Sequence, residues 1–116
     1  MKIRVSKNTP ELFSVLMDEI HDRYFNLRNV TFDDRTSEFR IYFGQSKKDF
    51  DRMLHIFGVR NYRLIKDQGI EIYMINKLII DPDKHSIILE TCECLSILFL
   101  IDPDFKVEVS HVNDAN

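Results

Sequence analysis

Few residues in this sequence could do chemistry, and the first candidates are His21 and Asp22. An adjacent histidine and aspartate can help to hold a divalent metal for phosphoester hydrolysis when further histidines complete the site. The other histidines, His55, His85 and His111, fall in segments that we predict to be strand or turn. We therefore place His21 and Asp22 on the solvent-facing side of a helix and keep a metal-dependent hydrolase as a remote alternative.

Cys92 and Cys94 are separated by one residue, a spacing that occurs in half of a zinc site. A structural zinc site normally needs a second such pair, and the chain has only 2 cysteines. A disulfide between such close neighbours would be strained, which favours a reducing compartment. We interpret both as small buried side chains at a tight connection between strands. A cysteine nucleophile with His111 as its base has no local support.

The phrase Asp-Pro-Asp occurs twice, at Asp81–Asp83 and at Asp102–Asp104, each time after an apolar segment. Two aspartates could bind calcium or magnesium, but these ions need more oxygen ligands around one point. Proline fixes the backbone for the second position of a type I turn, and the preceding aspartate can accept hydrogen bonds from the turn. Both phrases therefore predict turns between strands. We predict no catalytic residue, no metal site and no cofactor.

The elements that would position these residues are mostly strands. The second half of the chain contains four apolar segments separated by turns: Ile70–Ile80, His85–Thr91, Leu95–Ile101 and Phe105–Val109. We expect Val59–Lys66 to pair with Ile70–Ile80 across a short turn that ends at a left-handed Gly69. Because Ile70–Ile80 is long for a strand, a bulge is expected near Asn76 and Lys77.

One helix and one hairpin are predicted in the first part of the chain. Thr9 is a suitable helix N-cap, and Pro10 occupies the first helical position. Apolar residues then recur with helical spacing: Phe13, Leu16, Met17, Ile20 and Tyr24. Apolar and polar residues alternate in Asn29–Asp33 and in Glu38–Phe43, which predicts two strands with one wet face.

Residues 46–57 are compatible with two structures. Four apolar residues have helical spacing, and Ser46 and Gly58 could start and end that helix: Phe50, Met53, Leu54 and Phe57. Alternatively, residues 44–51 form a polar loop, and Arg52–Phe57 is a strand that continues through Val59. The β-favouring pair Ile56 and Phe57 favours the strand.

Composition and charge narrow the class of protein. The net charge of −3 disfavours a general nucleic-acid binder. The N-terminus lacks the apolar core of a signal peptide, and no apolar run reaches the roughly 20 residues that span a bilayer. We therefore expect a cytoplasmic protein with no membrane and no nucleic-acid partner. Six basic and two acidic residues lie between Lys47 and Lys66, whereas four acids and one lysine follow from Asp102 onward. The basic run could attract an acidic partner.

The last strands carry apolar residues on both faces. An antiparallel sheet that is covered on one side needs apolar residues on that side only. The fold class that we predict is α+β, with one N-terminal helix packed on a strongly bent antiparallel meander of about six to seven strands. We expect residues 1–112 to form a single domain and residues 113–116 to form a disordered tail. Either the sheet curls into a partial barrel, or its second face pairs with another copy. We favour a curled sheet with some self-association.

The leading functional hypothesis is a small non-enzymatic protein-interaction or accessory module that forms a homo-oligomer or binds another protein. Its predicted contact residues lie on the apolar strands: Ile75, Ile79, Ile88, Leu98 and Leu100. The alternative is a protein that binds a small apolar ligand in a pocket between the helix and the curled sheet. Four aromatic residues are its predicted lining: Phe39, Phe43, Tyr73 and Phe99.

Overall fold

An antiparallel sheet and one short helix make up the fold, which confirms the predicted α+β class. The computed structural model describes residues 2–112, so the predicted tail at 113–116 lies outside the described residues. The strands are β1 (Lys2–Val5), β2 (Tyr24–Asn26), β3 (Thr31–Asp33), β4 (Glu38–Gly44), β5 (Arg52–Ile65), β6 (Ile72–Asp81), β7 (Ser86–Thr91) and β8 (Ser96–His111). Helix α1 (Phe13–Ile20) follows a 3₁₀ turn at Pro10–Leu12, and a second 3₁₀ turn lies at Leu27–Asn29.

Helix α1 is shorter than its apolar pattern predicted. The Thr9 side chain makes no cap to the helix, because its hydroxyl accepts a 2.9 Å hydrogen bond from the Ser6 N–H instead. After Ile20 the backbone turns at Asp22, whose φ is 61° and whose N–H donates to the Ile75 carbonyl at 2.9 Å. This bond to the sheet takes the place of a further helical turn, so Tyr24 begins β2 rather than ending the helix.

The sheet is strongly bent and partly ring-like without being a barrel. Its strand order is β1-β8-β5-β4-β2-β6-β7, and β7 also pairs with β8. Strand β3 pairs with β4 outside this path. Helix α1 packs near β1, β6 and β8, where Leu16 and Ile20 are fully buried and cover one side of the core. The sheet therefore has 8 strands, because the short β1 and β2 join the predicted meander.

The predicted hairpin between Val59–Lys66 and Ile70–Ile80 is wrong. Gly69 has the expected positive φ of 74°, but β5 pairs with β4 and β8, while β6 pairs with β2 and β7. The 16-residue β8 pairs with both halves of β5 and so occupies the edge that β6 would need. The predicted bulge in β6 is confirmed, since the register with β7 shifts between Ile75 and Lys77.

Only the first of the two Asp-Pro-Asp phrases forms a turn. The Asp81 carboxylate accepts a 3.2 Å hydrogen bond from the Lys84 N–H, and the chain then reverses direction into β7. The second phrase lies inside β8, where residues 102–105 form a bulge opposite Gly58. A bulge tolerates proline because the missing N–H is not needed for the ladder. Gly58 has φ 81°, a conformation that glycine adopts without strain.

The ambiguous middle segment is a loop followed by a strand, as favoured from its composition. Residues 45–51 carry no helix, and β5 begins at Arg52. The Ser46 hydroxyl accepts hydrogen bonds from the Lys48 and Asp49 N–H groups, which shapes the loop. The loop then folds back on Gly44, where a Cβ atom would lie 1.8 Å from the Asp49 carbonyl oxygen.

Candidate interaction surface and polar cleft

Four of the five predicted contact residues form a cluster on the outer face of the sheet. Ile79 of β6 lies opposite Ile88 of β7, and Ile88 lies opposite Leu98 of β8. Leu100 is the next outward-facing residue of β8. We call these four residues the outer strip: Ile79, Ile88, Leu98 and Leu100. Leu100 is 45% exposed and Ile79 is 37% exposed, and the other two are partly exposed.

The fifth predicted contact residue, Ile75, does not belong to this surface. It is fully buried in the core. Simple alternation would put Ile75 and Ile79 on the same face of β6. The register shift between Ile75 and Lys77 inserts one extra residue, so the strand reverses its faces between the two isoleucines.

Polar side chains surround the outer strip. Arg63 of β5 lies opposite Leu98, and Ser86 of β7 lies opposite Leu100. Lys77 and Glu90 form an ion pair at 3.6 Å on one side. A shallow groove of about 250 Å³ runs between β5 and β8, lined by Asn61, Tyr62, Arg63, Leu98 and Leu100. An apolar centre with a polar rim is the usual arrangement of a protein–protein interface.

The four aromatic residues predicted to line a ligand pocket are core residues. Phe39, Phe43, Tyr73 and Phe99 are all fully buried. The rings of Phe39 and Phe99 lie edge to face with centroids 4.8 Å apart. An apolar cleft of about 220 Å³ occurs elsewhere, between the start of the helical segment and the sheet. It is lined by Val5, Ser6, Lys7, Pro10, Phe13, Ile80, Pro82 and Phe105.

The predicted chemical motifs are spread over the surface. His21 Nε2 lies 3.4 Å from Asp22 Oδ1, and its Nδ1 lies 2.7 Å from the Asn76 carbonyl oxygen. Cys92 and Cys94 are exposed rather than buried, because Cys94, with φ 79°, places the connection at the surface. Partial desolvation of its sulfur, and then the carboxylates of Glu93 and Asp22, raise the pKa of the exposed Cys92. Within residues 2–112 no three His, Cys, Asp or Glu side chains converge as a metal site.

The two runs of opposite charge contact each other. Arg60 of the basic run forms an ion pair with Asp102 of the acidic run. Arg52 pairs with Glu19 of α1, with 2.5 Å between Nη1 and Oε2. Two of the six basic residues between Lys47 and Lys66 are thus paired with acidic side chains of the same chain.

A polar cleft that the sequence did not predict lies on the outer face of the other half of the sheet. One row of paired residues crosses four strands there, from Arg4 through Glu108 and His55 to Arg40. The polar cleft has a volume of about 350 Å³ and is lined by Lys2, Arg4, Arg40, Met53, His55, Phe57, Glu108 and Ser110. His55 and Glu108 are only 8% and 5% exposed, although His55 lies on the face of β5 opposite to the core residues Leu54 and Ile56.

Hydrogen bonds fix the orientation of the His55 ring. Its Nε2 lies 2.7 Å from Glu38 Oε1, and the same oxygen accepts a 3.2 Å bond from Arg40 Nη2. The pKa of Glu38 lies below its ordinary value. The largest cause is a hydrogen bond from Thr36, and the hydrogen bond and charge of His55 add to it. Glu38 is therefore an ionised acceptor, so Nε2 carries the proton and Nδ1 keeps its lone pair. Burial lowers the pKa of His55, although Glu38 opposes this change.

Glu108 is held by cations at the edge of the sheet. Burial opposes its ionisation, but hydrogen bonds and charge from Arg4 and Lys2 outweigh that cost and hold the pKa of Glu108 below its ordinary value. Arg4 Nη2 lies 2.6 Å and Lys2 Nζ lies 3.4 Å from this carboxylate. The cleft therefore combines buried ionised groups with exposed cations, the environment that often marks a binding site.

Sequence reasoning missed the polar cleft because its rows depend on pairing between distant strands. Outward-facing Met53, His55 and Phe57 alternate with buried Leu54 and Ile56, so their common face could have been read from β5 alone. Their position beside Glu108 required the register between β5 and β8, which no local pattern specifies.

Comparisons with protein-family models, with curated proteins and with solved structures found no match to this chain. In the described part of the chain, no helix has the length and apolarity needed to cross a membrane.

Proposed function

We propose that this chain is a small protein-interaction module that self-associates through the outer strip. The observation that carries the proposal is the apolar row from Ile79 through Ile88 to Leu98, with Leu100 beside it, on a face of the sheet that is open to solvent. Burying these side chains against a second copy would remove apolar surface from water at about 25 cal/mol per Å². This gain favours association before its entropic cost is subtracted.

One pair of charges beside the outer strip is complementary about a two-fold axis. Suppose that the axis crosses the strands along the row from Ile79 to Leu98. Residues on either side of that row then exchange places between the copies. Lys77 and Asp81 flank Ile79 on β6, so Lys77 of each copy would face Asp81 of the other. Packed sheets with nearly aligned strands allow this arrangement.

The size of the outer strip predicts a weak dimer. Three strands about 4.8 Å apart and five residues long cover on the order of 250 Å² of flat surface. A stable interface of standard size buries about 800 Å² on each partner. The groove beside Leu100 adds contact area, but we expect a dissociation constant on the order of 10–100 μM rather than a permanent dimer.

Sedimentation velocity over a range of concentrations tests this proposal. We expect the wild-type protein to shift from monomer to dimer as its concentration passes through the micromolar range. Leu100→Lys should remain a monomer, because it places a charge among the apolar side chains that the dimer buries. Val15→Lys is the matched control, since Val15 is 46% exposed on α1 and lies outside the strip. A wild-type protein that stays monomeric at all concentrations, or a dimer that survives Leu100→Lys, contradicts the proposal.

A second candidate function is the binding of a small apolar ligand in the cleft between Pro10, Phe13 and Phe105. The specific observation is the apolar lining of this cleft, which joins the start of the helical segment to the sheet. A ligand that binds the native state raises the melting temperature. A thermal-shift screen with short fatty acids and small aromatic compounds tests it, and Phe13→Ala should abolish any shift. A screen without stabilising compounds counts against this function and leaves the dimer proposal untouched.

A further inference from the structure

We propose that the polar cleft binds an anionic group, a carboxylate or a phosphate, carried by a small molecule with an aromatic body. This site is separate from the outer strip. The cleft uses the part of β5 before Gly58 and the part of β8 after Phe105, whereas the outer strip uses β6, β7 and the first part of β8. The inference goes beyond self-association and does not depend on it.

The charge of the lining favours an anion. Three cations, Lys2, Arg4 and Arg40, line the cleft with the carboxylate of Glu108. The Glu38 carboxylate contacts His55 and Arg40 beside it, so the cations still exceed the carboxylates by one. Among the contacts of residues 2–112, Arg40 donates only from Nη2, to Glu38. Its other N–H groups remain available to a ligand, and guanidinium groups bind carboxylate and phosphate with paired hydrogen bonds.

His55 provides a second polar contact for the anion. Glu38 holds the Nε2 side of the ring, so Nδ1 is the ring atom left to meet a ligand. Neutral Nδ1 presents a lone pair, which an anion would avoid. A proton on Nδ1 converts this atom into a donor, so the bound anion and the proton on His55 stabilise each other.

Apolar side chains in the same cleft favour an aromatic body on the ligand. Met53 lies one row beyond His55 on β5, and its side chain is 8% exposed. The Phe57 ring stacks on the His55 ring with centroids 3.8 Å apart. A planar ring can contact the thioether and the aromatic faces, while its charged group lies among the cations. Benzoate and phenyl phosphate have this combination of groups.

Binding should be tighter at low pH. The charged groups around His55 are Glu38 and Arg40 on β4 and Glu108 on β8, with Arg4 of β1 beyond Glu108. Both carboxylates have pKa values below the ordinary one, so they stay ionised while His55 titrates. An anion that favours protonated His55 raises its pKa in the complex. A carboxylate probe stays ionised in this range, so its affinity should increase as the pH falls below about 6.5.

Titration followed by ¹H–¹⁵N NMR tests the site, with benzoate and phenyl phosphate as probes and benzamide as the uncharged control. We expect saturable shifts confined to the strand segments around His55 and Glu108. Arg40→Gln should weaken binding by about fivefold or more, because it removes a charged donor. The matched control is Arg28→Gln, an exposed arginine that pairs with Glu71 and lies outside the cleft, which should bind as the wild type does.

The spectra also report whether each variant is folded. If Arg40→Gln disturbs the fold by releasing Glu38, Lys2→Gln replaces it, since Lys2 is exposed at the rim. His55→Gln should abolish the pH dependence.

Saturation by either anion supports the proposal, and the anion that binds more tightly identifies the preferred head group. Absence of saturation by both anions overturns it. So does benzamide binding as tightly as benzoate, or equal affinity in the wild type and both cation variants, which would indicate an adventitious additive only.

Discussion

His55 shows how an outward-facing side chain on a sheet becomes nearly as buried as a core residue. The ring stacks on Phe57, and neighbouring strands place Arg40 and Glu108 on either side of it. Long arginine side chains cover apolar surface with their methylene groups while the charged end stays in water. Burial on this face therefore comes from side chains on the same sheet rather than from a second layer.

The pKa of His55 gives a prediction at this scale. Because the folded pKa lies below the unfolded value of about 6.5, the unfolded chain binds more protons between these two values. Stability is therefore greatest above pH of about 6.5 and falls as the pH drops toward the folded pKa. Urea unfolding of the wild type and of His55→Gln measures this step, which the variant should lack. An identical pH dependence in both proteins contradicts the assignment.

Glu38 and Glu108 predict a second, more acidic loss of stability. Their folded pKa values are lowered from 4.5, so their ionised forms stabilise the native state at higher pH. This stabilisation is lost as the pH falls below about 4.5 through the folded values. The Glu108→Gln variant should be less stable than the wild type at neutral pH, because Arg4 loses its charged partner, and the difference should shrink in acid. Urea midpoints across this range measure it.

At the scale of elements, the bulge between β5 and β8 separates the outer strip from the polar cleft. Gly58 and residues 102–105 interrupt the ladder, and β8 changes its second partner from β7 to β1 on either side of them. The outer face of one half carries the outer strip, and that of the other half carries the polar cleft. The phrase Asp-Pro-Asp, which predicts a turn, thus forms a bulge here because the segments of β8 before and after it are both paired with β5.

Gly58→Ala tests the importance of this bulge. A Cβ atom there would lie 3.2 Å from Phe105 Cα, and the φ of 81° is strained for alanine. We expect a loss of about 1–3 kcal/mol in the free energy of unfolding. Gly69→Ala is the matched control, since its φ is 74° but no atom lies within 4 Å of the added Cβ. Denaturant unfolding compares them, and an equal loss would show that φ alone matters.

Helix α1 stabilises the fold through a narrow row of buried side chains. Leu16 is fully buried, whereas its neighbour Val15 is 46% exposed. Leu16→Ala should cost about 2–5 kcal/mol because it leaves a cavity against the sheet. Val15→Ala should change stability by less than about 0.5 kcal/mol. Unfolding in urea measures both, and similar small effects would mean that the helix is not needed to cover the core.

At the scale of the whole molecule, self-association should be linked to stability. If two native chains bind through the outer strip, the melting temperature should rise with protein concentration. Leu100→Lys should remove this concentration dependence, and Val15→Lys should retain it. Calorimetry at two concentrations a hundredfold apart measures the effect. A melting temperature that is independent of concentration in the wild type would contradict the dimer.

The sequence by itself determined the α+β class, most strands, the bulge in β6 and the apolar face around Leu98. These features follow from local periodicity, because side chains alternate along a strand and recur along a helix. The tertiary structure decided which strands pair, since long apolar strands such as β5 and β8 can pair with several partners at similar local energy. It therefore also decided that Ile75 is core, that Phe39 and Phe99 pack against each other, and that His55 lies beside Glu108.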